Sequence, residues 1–390
     1  MEGIIFRKER FGGIFFDIKT GKCEYKNEEE SEKKLREIKP IKIIANPLVE
    51  GCYLTAPEAL GIDITQKCNL RCKHCYKESG ETALNELAKQ ELFSIIDQCE
   101  ELGVFFLFIA GGEPTCRDDL FEIINYARGK GIRTILVTNG VYEKDILDEV
   151  IESDVWQVRI SIDGPEKIND IIRGKGTFEK AVASIKYLKE KGIDVRISFH
   201  LCKINKNYFE DAIKLANDLG VTIKFSTIRP IGRAIQSTET EILDKAEFYD
   251  AVKKITALKD KYEIKIISDF DNVISQKPLY TIPGNDNSSC FVAQKEMTLT
   301  CDGNVYPCSF LTPFKELNSG SIRNSKLIEI WTNSPILRAI RNRKPNEKCQ
   351  NCQYFKKFCL GGCPAVSYAL SGDMECLDPL CPKEFVENES

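Results

Sequence analysis

Three cysteines in the first third of the chain have the spacing of a metal-binding loop. Cys68, Cys72 and Cys75 are separated by three and then by two residues. Thiolates are soft ligands that favour iron–sulfur clusters or zinc, and three of them can hold three irons of a [4Fe–4S] cube. The fourth iron would then be open to a group from outside the protein. A zinc site with one distant ligand, or three unconnected thiols, are the alternatives.

A second set of cysteines lies near the C-terminus. Nine of the 17 cysteines fall between residues 290 and 381. Cys290 and Cys308 flank a predicted hairpin that turns at Asp302-Gly303. The remaining members, apart from Cys301, are Cys349, Cys352, Cys359, Cys363, Cys376 and Cys381. Two of them, spaced C-x2-C, could be half of a zinc ribbon, but so many cysteines favour iron–sulfur clusters.

The composition argues against several classes of protein. Only two histidines are present, so mixed cysteine–histidine zinc sites have few ligands available. A formal net charge of -4 gives no reason to expect a nucleic-acid partner. No apolar run approaches the roughly 18 residues of a membrane span, and no signal-peptide pattern is present. We therefore expect a cytoplasmic protein with no membrane partner, whose clustered thiols bind metal rather than form disulfides.

The elements that must position these cysteines alternate between strand and helix. Predicted strands cover 61–65, 104–110, 132–138, 156–162, 193–201 and 221–226, and predicted helices lie near 83–101, 117–129, 143–152, 177–191 and 206–219. Such repeats predict parallel strands joined by helical crossovers. The prediction is an α/β fold with a partial (β/α)6 barrel, and a doubly wound sheet is the alternative.

The chain divides into four predicted segments. They are an N-terminal β-hairpin segment (1–57), the partial barrel (58–235), a helical connector (236–284) and a cysteine-rich iron–sulfur domain (285–390). The hairpin is predicted over 14–25, and the connector contains a predicted helix near 241–261. Glycine, asparagine and serine cluster at 283–289, which indicates a linker.

Small and polar residues end several of the predicted strands, at the edge where barrels place their active sites. Gly111, Gly112 and Glu113 end the second strand, Asn139 ends the third, and Ser161 ends the fourth. Glycine lets a backbone approach a ligand closely, and a carboxylate such as that of Glu113 can accept hydrogen bonds from an ammonium group. A simple turn is the alternative for the glycine pair.

Residues 60–230 resemble the radical S-adenosylmethionine (SAM) superfamily, whose CxxxCxxC signature matches the first cysteine group. The resemblance implies that SAM chelates the open iron and is cleaved by one electron to methionine and a 5′-deoxyadenosyl radical, which abstracts a substrate hydrogen. It implies a set of SAM-binding residues: His74, Gly111, Gly112, Glu113, Asn139, Ser161 and Arg173. In this set, Arg173 would pair with the SAM carboxylate and His74 would lie near the adenine.

Residues 290–385 resemble the SPASM domain, which carries two auxiliary [4Fe–4S] clusters and would bring the total to three. By this resemblance, Cys290, Cys308 and Cys363 hold the first auxiliary cluster, and Cys349, Cys352, Cys359 and Cys381 hold the second. Cys381 is preferred to Cys376 because residues 378–382 resemble the usual ending of the domain. Cys301 or the substrate would complete the first auxiliary cluster.

These resemblances imply an enzyme that modifies a peptide or protein through a thioether or carbon–carbon crosslink or another change. The N-terminal hairpin resembles part of a peptide-docking module. A low-potential donor such as ferredoxin or flavodoxin would supply electrons. The alternative is maturation of a cofactor, such as oxidative decarboxylation of tetrapyrrole side chains or assembly of a metal cofactor. A passive electron carrier is disfavoured, because it needs no open iron and no cofactor pocket.

Overall fold

A computed structural model describes residues 2–81, 85–237, 241–269, 271, 290, 292–355, 359–381 and 383 of the chain. The predicted linker at 283–289 and residues 272–284 of the predicted connector lie outside the described residues. In the described part of the chain, no helix is both long and apolar enough to cross a bilayer.

The N-terminal segment is a four-stranded sheet with one helix packed against it. Its elements are β1 (Ile4–Glu9), β2 (Gly12–Asp17), β3 (Lys22–Asn27), α1 (Glu28–Glu37) and β4 (Lys42–Ala45). The strands lie in the order β3-β2-β1-β4, and the antiparallel pair of β2 and β3 confirms the predicted hairpin. β1 and β4, which the sequence pattern does not indicate, pair in parallel. The Asn27 side chain accepts the Glu30 N–H and so begins α1.

Seven parallel strands in sequential order form the central sheet. They are β5 (Ala59–Thr65), β6 (Phe106–Gly111), β7 (Arg133–Thr138), β8 (Gln157–Ser161), β9 (Val195–Leu201), β10 (Thr222–Thr227) and β11 (Ile266–Ser268). All six predicted strands are present, and β11 is an additional short one. The order β11-β10-β9-β8-β7-β6-β5 lacks the reversal that a doubly wound sheet requires, so the partial barrel is confirmed.

Helices follow these strands along the chain. They are α2 (Lys89–Leu102), α3 (Leu120–Gly129), α4 (Lys144–Glu152), α5 (Glu166–Arg173), α6 (Thr177–Glu190), α7 (Phe209–Asp218), α8 (Arg233–Gln236) and α9 (Lys245–Leu258). The predicted crossover helices correspond to α2, α3, α4, α6 and α7, and α9 corresponds to the predicted connector helix. The short helices α5 and α8 are additional. α2 ends at Gly103, whose left-handed φ of 70° favours glycine.

The inner face of the central sheet lines a lumen. Along β9 and β10, fully buried residues alternate with residues that keep partial exposure. Ile197 and Phe199 are buried in the main apolar core, whereas the intervening Ser198 and the following His200 are half-buried. Because successive side chains of a strand point to opposite faces, the half-buried set faces inward. The polar residues at the strand ends therefore share one lumen.

The C-terminal segment extends the same sheet and then continues in short elements. These are β12 (Glu296–Leu299), β13 (Asn304–Tyr306), β14 (Gly320–Ser321), α10 (Leu327–Asn333), α11 (Pro335–Arg341), α12 (Glu347–Gln350) and α13 (Pro364–Ser371). β12 and β13 form the predicted hairpin. β12 also pairs in parallel with β5, so the C-terminal segment and the barrel share one ten-stranded sheet.

A buried ion pair attaches the N-terminal sheet to the barrel. Arg7 and Glu9 on β1 are paired at 2.6 Å, and both side chains have 0% exposure. The Arg7 Nη1 also donates to the carbonyls of Pro57 and Gly103 at 2.9 and 2.6 Å, and the second Glu9 oxygen accepts the Thr55 N–H. Since buried charges are stable only when they are paired and hydrogen-bonded, this network favours the docked position of the sheet.

Candidate active site

The first cysteine group lies in the loop that follows β5, at the edge of the sheet where such barrels place their active sites. Cys68, Cys72 and Cys75 lie close enough for their charges to interact. Burial raises the pKa of Cys68 to about 12 and also raises the pKa of Cys72. Buried thiols become thiolates when a metal ion compensates the charge, so this loop has the chemistry of a metal site.

Backbone hydrogen bonds hold the cysteine loop from two sides. The Cys68 N–H donates to the Gly80 carbonyl at 2.8 Å and closes the base of the loop. Arg233, the first residue of α8, donates from Nε to the Cys72 carbonyl at 2.9 Å. Its N–H donates to the Cys75 carbonyl at 3.1 Å. Arg233 therefore supports the site, although no sequence motif indicates it.

Gly111 and Gly112 lie against the beginning of the cysteine loop. A Cβ atom on Gly111 would lie 2.3 Å from the Thr65 carbonyl oxygen, and one on Gly112 would lie 2.0 Å from the Lys67 carbonyl oxygen. The Glu113 N–H donates to the same Lys67 carbonyl at 2.8 Å. From the sequence, we predict that these two glycines allow the backbone to approach the cofactor. In the structure, the atoms that leave no room for a side chain at either position are backbone atoms of residues 64–67, where the chain enters the cysteine loop.

Glu113 is fully buried and joins the ends of β6 and β7. Its Oε1 accepts the hydroxyls of Thr138 and Thr115 at 2.7 and 2.8 Å, and its Oε2 accepts the Asn139 N–H at 2.8 Å. Burial raises the pKa of the Glu113 carboxyl, and these hydrogen bonds work against that shift. A carboxylate oxygen has two lone pairs, so Oε2 can accept one more donor, such as the predicted ammonium group.

Asn139 connects the end of β7 to the cysteine loop. Its Nδ2 donates to the Asn69 side-chain oxygen at 2.7 Å, and its Oδ1 accepts the Val141 N–H at 2.7 Å. Asn69 is the neighbour of Cys68, so this contact positions the first thiol. Ser161, the last residue of β8, is buried at the same edge of the sheet.

Asp163 brings three side chains together, although the sequence prediction gave it no role. Its Oδ2 accepts from Arg173 Nε at 2.7 Å and lies 2.7 Å from His74 Nε2, and its Oδ1 accepts the His200 N–H at 2.8 Å. Burial opposes the charge of Asp163, but Arg173, His74 and His200 outweigh it and hold the pKa of its carboxyl well below its usual range. The one feature of the sequence that could have indicated a role for Asp163 is its position just after Ser161, at the end of a strand.

The arrangement around Asp163 leaves donors available for a ligand. The Nε of Arg173 donates to Asp163. The two terminal amino groups of Arg173 have no hydrogen-bond partner among the described residues, so they are available to a carboxylate. Burial lowers the pKa of His74, and the attraction of Asp163 opposes that shift. His74 and Arg173, both predicted to bind SAM, therefore contact the same carboxylate, that of Asp163.

Three of the C-terminal cysteines converge beside the β12–β13 hairpin. The charges of Cys290, Cys308 and Cys363 interact with one another, and Cys363 stands at the beginning of α13. Burial raises the pKa of Cys290 to about 12 and raises that of Cys308 as well. Cys301 lies elsewhere, near Asp63 and Glu86.

Four further cysteines converge farther along the chain. These are Cys349, Cys352, Cys359 and Cys381. Burial, together with the charges of the other three thiols, raises the pKa of Cys349 to about 11. Cys376 lies beside Asp373, with its Sγ 3.7 Å from the Asp373 Oδ2. The structure thus brings together the sets of thiols that the resemblance implies.

Comparisons with known proteins agree with this geometry. Residues 62–216 match the sequence model of the radical SAM superfamily, and residues 290–353 match that of the SPASM iron–sulfur cluster-binding domain. The AdoMet-dependent heme synthase of Oleidesulfovibrio alaskensis is 31% identical over 343 residues, which cover 82% of this chain and 85% of that protein. This chain belongs to the radical SAM superfamily.

Two further proteins are similar to this radical SAM enzyme over most of its length. The mycofactocin maturase MftC of Mycolicibacterium smegmatis is 27% identical over 354 residues, which cover 88% of this chain and 87% of that protein. The crystal structure of Streptococcus suis SuiB bound to precursor peptide SuiA has a TM-score of 0.80 and 17% identity, and covers 98% of this chain and 99% of SuiB. The SuiB likeness shows a shared fold.

Two buried polar atoms in this candidate site have no hydrogen-bond partner in the described part of the chain. They are the Tyr142 hydroxyl and the His200 Nδ1. Tyr142 lies near Glu113, and His200 lies beside Asp163. Because buried polar groups are normally hydrogen-bonded, these two atoms fit a site built for a polar ligand such as SAM.

Proposed function

We propose that this enzyme uses SAM to generate a 5′-deoxyadenosyl radical and abstracts hydrogen from a peptide, forming a thioether or carbon–carbon crosslink or another modification. The observation that carries this proposal is the N-terminal sheet fixed to the barrel through buried Arg7 and Glu9. Radical formation itself needs only the barrel. A further module that is attached to the barrel is therefore an argument for a peptide substrate, which needs a docking surface outside the barrel. The resemblance to SuiB, which was crystallised with a precursor peptide, extends through this module.

In this proposal, Cys68, Cys72 and Cys75 hold a [4Fe–4S] cluster whose open iron binds SAM. Glu113 accepts the SAM ammonium group, and Arg173 donates to the SAM carboxylate. Asp163 orients Arg173 and His74, because its single Oδ2 contacts both side chains. Gly111, Gly112, Asn139 and Ser161 complete the binding surface, the first three by fixing the loop that carries the thiols.

Two auxiliary [4Fe–4S] clusters are proposed for the C-terminal groups. The group of Cys290, Cys308 and Cys363 has three thiols, so it keeps one iron open to the substrate. The group of four cysteines that includes Cys349 and Cys381 would supply one thiolate to each iron of its cluster, so no iron would remain open. Three cubes predict about 12 irons per chain. We propose a low-potential ferredoxin or flavodoxin as the electron donor.

The decisive experiment is anaerobic incubation of reconstituted enzyme with SAM, dithionite and the small peptides encoded beside its gene. The expected result is 5′-deoxyadenosine together with a mass loss of about two hydrogens in one of these peptides. Cys72→Ala is expected to abolish both products, whereas Cys376→Ala, outside the thiol groups, retains them. A Cys72→Ala enzyme that still forms 5′-deoxyadenosine would contradict the proposal.

Cofactor maturation is the second candidate function. The observation that favours it is the 31% identity with an AdoMet-dependent heme synthase. In this case the substrate would be a tetrapyrrole or another cofactor precursor, and the same incubation with a carboxylated tetrapyrrole would show a loss of carbon dioxide. Decarboxylation of the tetrapyrrole without change in any peptide would select this function over peptide modification.

A further inference from the structure

The barrel lumen contains charged side chains that the proposed binding of SAM does not use. On β6, β8 and β10, the half-buried residues include Phe108, Arg159 and Lys224, which alternate with fully buried neighbours. Glu296 at the beginning of β12 faces the same space, since its charge acts on both Arg159 and Lys224. β10 and β12 lie toward opposite ends of the sheet, so the sheet curves enough to bring them across from each other.

Most buried charges of this chain have a direct partner of opposite sign. Arg7 is paired with Glu9, Arg173 with Asp163, and Lys77 with Asp63. Within the lumen, Lys224 is paired with Asp269 at 2.8 Å. This pairing is expected, because an unpaired charge removed from water is destabilising.

Arg159, also in the lumen, has no such partner among the described residues. Its Nε donates to the Gln157 Oε1 at 2.8 Å, and its guanidinium carbon lies 5.0 Å from the centre of the Phe108 ring. No carboxylate of the described residues lies within 4.0 Å of it, and its terminal amino groups have no hydrogen-bond partner there. Burial lowers the pKa of Arg159 to about 10, and the neighbouring Arg196 adds to that shift.

The position of Arg159 places it directly beneath the candidate SAM site. It precedes Ser161 by two residues on β8, so both side chains face the lumen in successive layers. In the register of the sheet it lies between Val137 on β7 and Arg196 on β9. A guanidinium bonded only through its Nε keeps its two terminal amino groups free for the two oxygens of a carboxylate.

We propose that Arg159 is the receptor for a carboxylate group of the substrate. This inference rests on the proposed function, because it describes the substrate of the same lumen. The carboxylate belongs either to a peptide, as its C-terminus or an acidic side chain, or to a tetrapyrrole side chain. Glu296 lies across the lumen, has no ion-pair partner within 4.0 Å among the described residues, and, when ionised, competes with the substrate carboxylate for Arg159 and repels it.

The test compares acids with their neutral counterparts on the anaerobic holoenzyme with SAM bound and no reductant. The probes are an acetylated tyrosyl dipeptide with a free C-terminal carboxylate, the same dipeptide as its carboxamide, a porphyrin dicarboxylate and its dimethyl ester. Calorimetry gives each Kd. We expect one acid to bind about tenfold more tightly than its neutral counterpart, as one charged bidentate contact provides.

Three variants assign that preference to the lumen. Arg159→Gln is expected to remove it, and Arg159→Lys to retain part of it, because a single ammonium group lacks the planar fork. Glu296→Gln is expected to increase it by removing a repulsive charge. Arg128→Gln, a change to an exposed arginine paired with Asp154, is the control and leaves the preference unchanged. Melting temperature and iron content establish that each variant is folded and loaded.

The outcomes separate this inference from the proposed function. Equal binding of acids and neutral probes by the wild-type enzyme, or an unchanged preference in Arg159→Gln, overturns the carboxylate receptor. Whichever acid shows the preference identifies the source of the carboxylate. Formation of 5′-deoxyadenosine is measured separately: its absence would refute the proposed radical function while leaving the binding result intact.

Discussion

At the scale of single residues, Asp163 shows how one buried carboxylate can organise a site. Its Oδ2 contacts both Arg173 and His74, and its Oδ1 receives the His200 N–H. An ionised carboxylate can accept all of these hydrogen bonds at once. These groups are two side chains, from the cysteine loop and α5, and one backbone N–H, from β9, so their spacing depends on Asp163 remaining charged.

The Asp163→Asn variant is expected to weaken SAM binding about tenfold or more. The amide cannot balance the charge of Arg173, and one of its two terminal atoms is a donor rather than an acceptor. The measurement is the Kd of SAM by calorimetry on the anaerobic, reconstituted protein. Asp148→Asn, which affects only a contact with Tyr187 at the surface, is the matched control. An unchanged Kd in Asp163→Asn would show that the carboxylate does not position the SAM ligands.

The residues that could be predicted from the sequence are those with local spacing. Cys68, Cys72 and Cys75 stand within eight consecutive residues, and this spacing alone indicates a cluster. Asp163 and Arg233 escaped prediction because their partners come from elements that meet only in the folded barrel. Contacts of this kind cannot be predicted from a single aspartate or arginine in a sequence.

At the scale of elements, the end of β6 is built to pack against the cysteine loop. Gly112 allows this contact, since any side chain there would overlap the Lys67 carbonyl. The strand end and the loop are also joined by the Glu113 N–H, which donates to that carbonyl. The thiols are therefore held by a backbone-to-backbone contact, which is stiffer than a contact between side chains.

The Gly112→Ala variant is expected to lose iron from the first site and about 1–3 kcal/mol of stability, because the added methyl group overpacks the contact. Iron analysis and chemical denaturation under anaerobic conditions measure the two effects. Gly129→Ala, where an added Cβ would meet nothing within 4 Å, is the matched control and should keep its iron. Equal iron content in the two variants would be inconsistent with a packing role for Gly112.

The regular elements of the barrel were predictable because each carries its own hydrophobic pattern and a glycine or polar boundary. β4 and β11 were not, since they have four and three residues and depend on distant partners. α5 was missed for a similar reason: it has eight residues and begins directly after Pro165. Short elements are stabilised mainly by tertiary packing, which the local sequence does not reveal.

At the scale of the whole molecule, a buried ion pair contributes to the attachment of the N-terminal sheet. Arg7 connects β1 to the barrel by donating to the carbonyls of Pro57 and Gly103. Since Glu9 has no exposure, its charge depends on Arg7. Arg7 is therefore the group that both neutralises Glu9 and bonds the sheet to the barrel.

The Arg7→Met variant is expected to lose about 3–5 kcal/mol from the docking of the N-terminal sheet, because Glu9 is left buried without its partner. Hydrogen exchange should increase in β1 and β2 and remain slow in β7 and β8. Arg36→Met, at an exposed site on α1, is the control. Slow exchange throughout β1 in Arg7→Met would mean that other contacts suffice to hold the sheet.

Removal of iron is expected to loosen the C-terminal segment selectively. Its described helices have four to eight residues, so cluster binding supplies much of its folding free energy. Hydrogen exchange after anaerobic chelation should increase across residues 327–381, while the strands of the barrel keep their protection. Similar exchange in the chelated and loaded proteins would contradict this expectation.

The parallel pairing of β12 with β5 has a consequence for biosynthesis. β5 leads into the cysteine loop and has two neighbours in the sheet, β6 and β12. The ribosome synthesises β12 only after all the other strands of the barrel. Until then, β5 is an open edge that can capture strands from other nascent chains. A truncated chain that stops before β12 would therefore lose more than its auxiliary thiols: it would leave the strand beside the radical-forming site permanently exposed to aggregation.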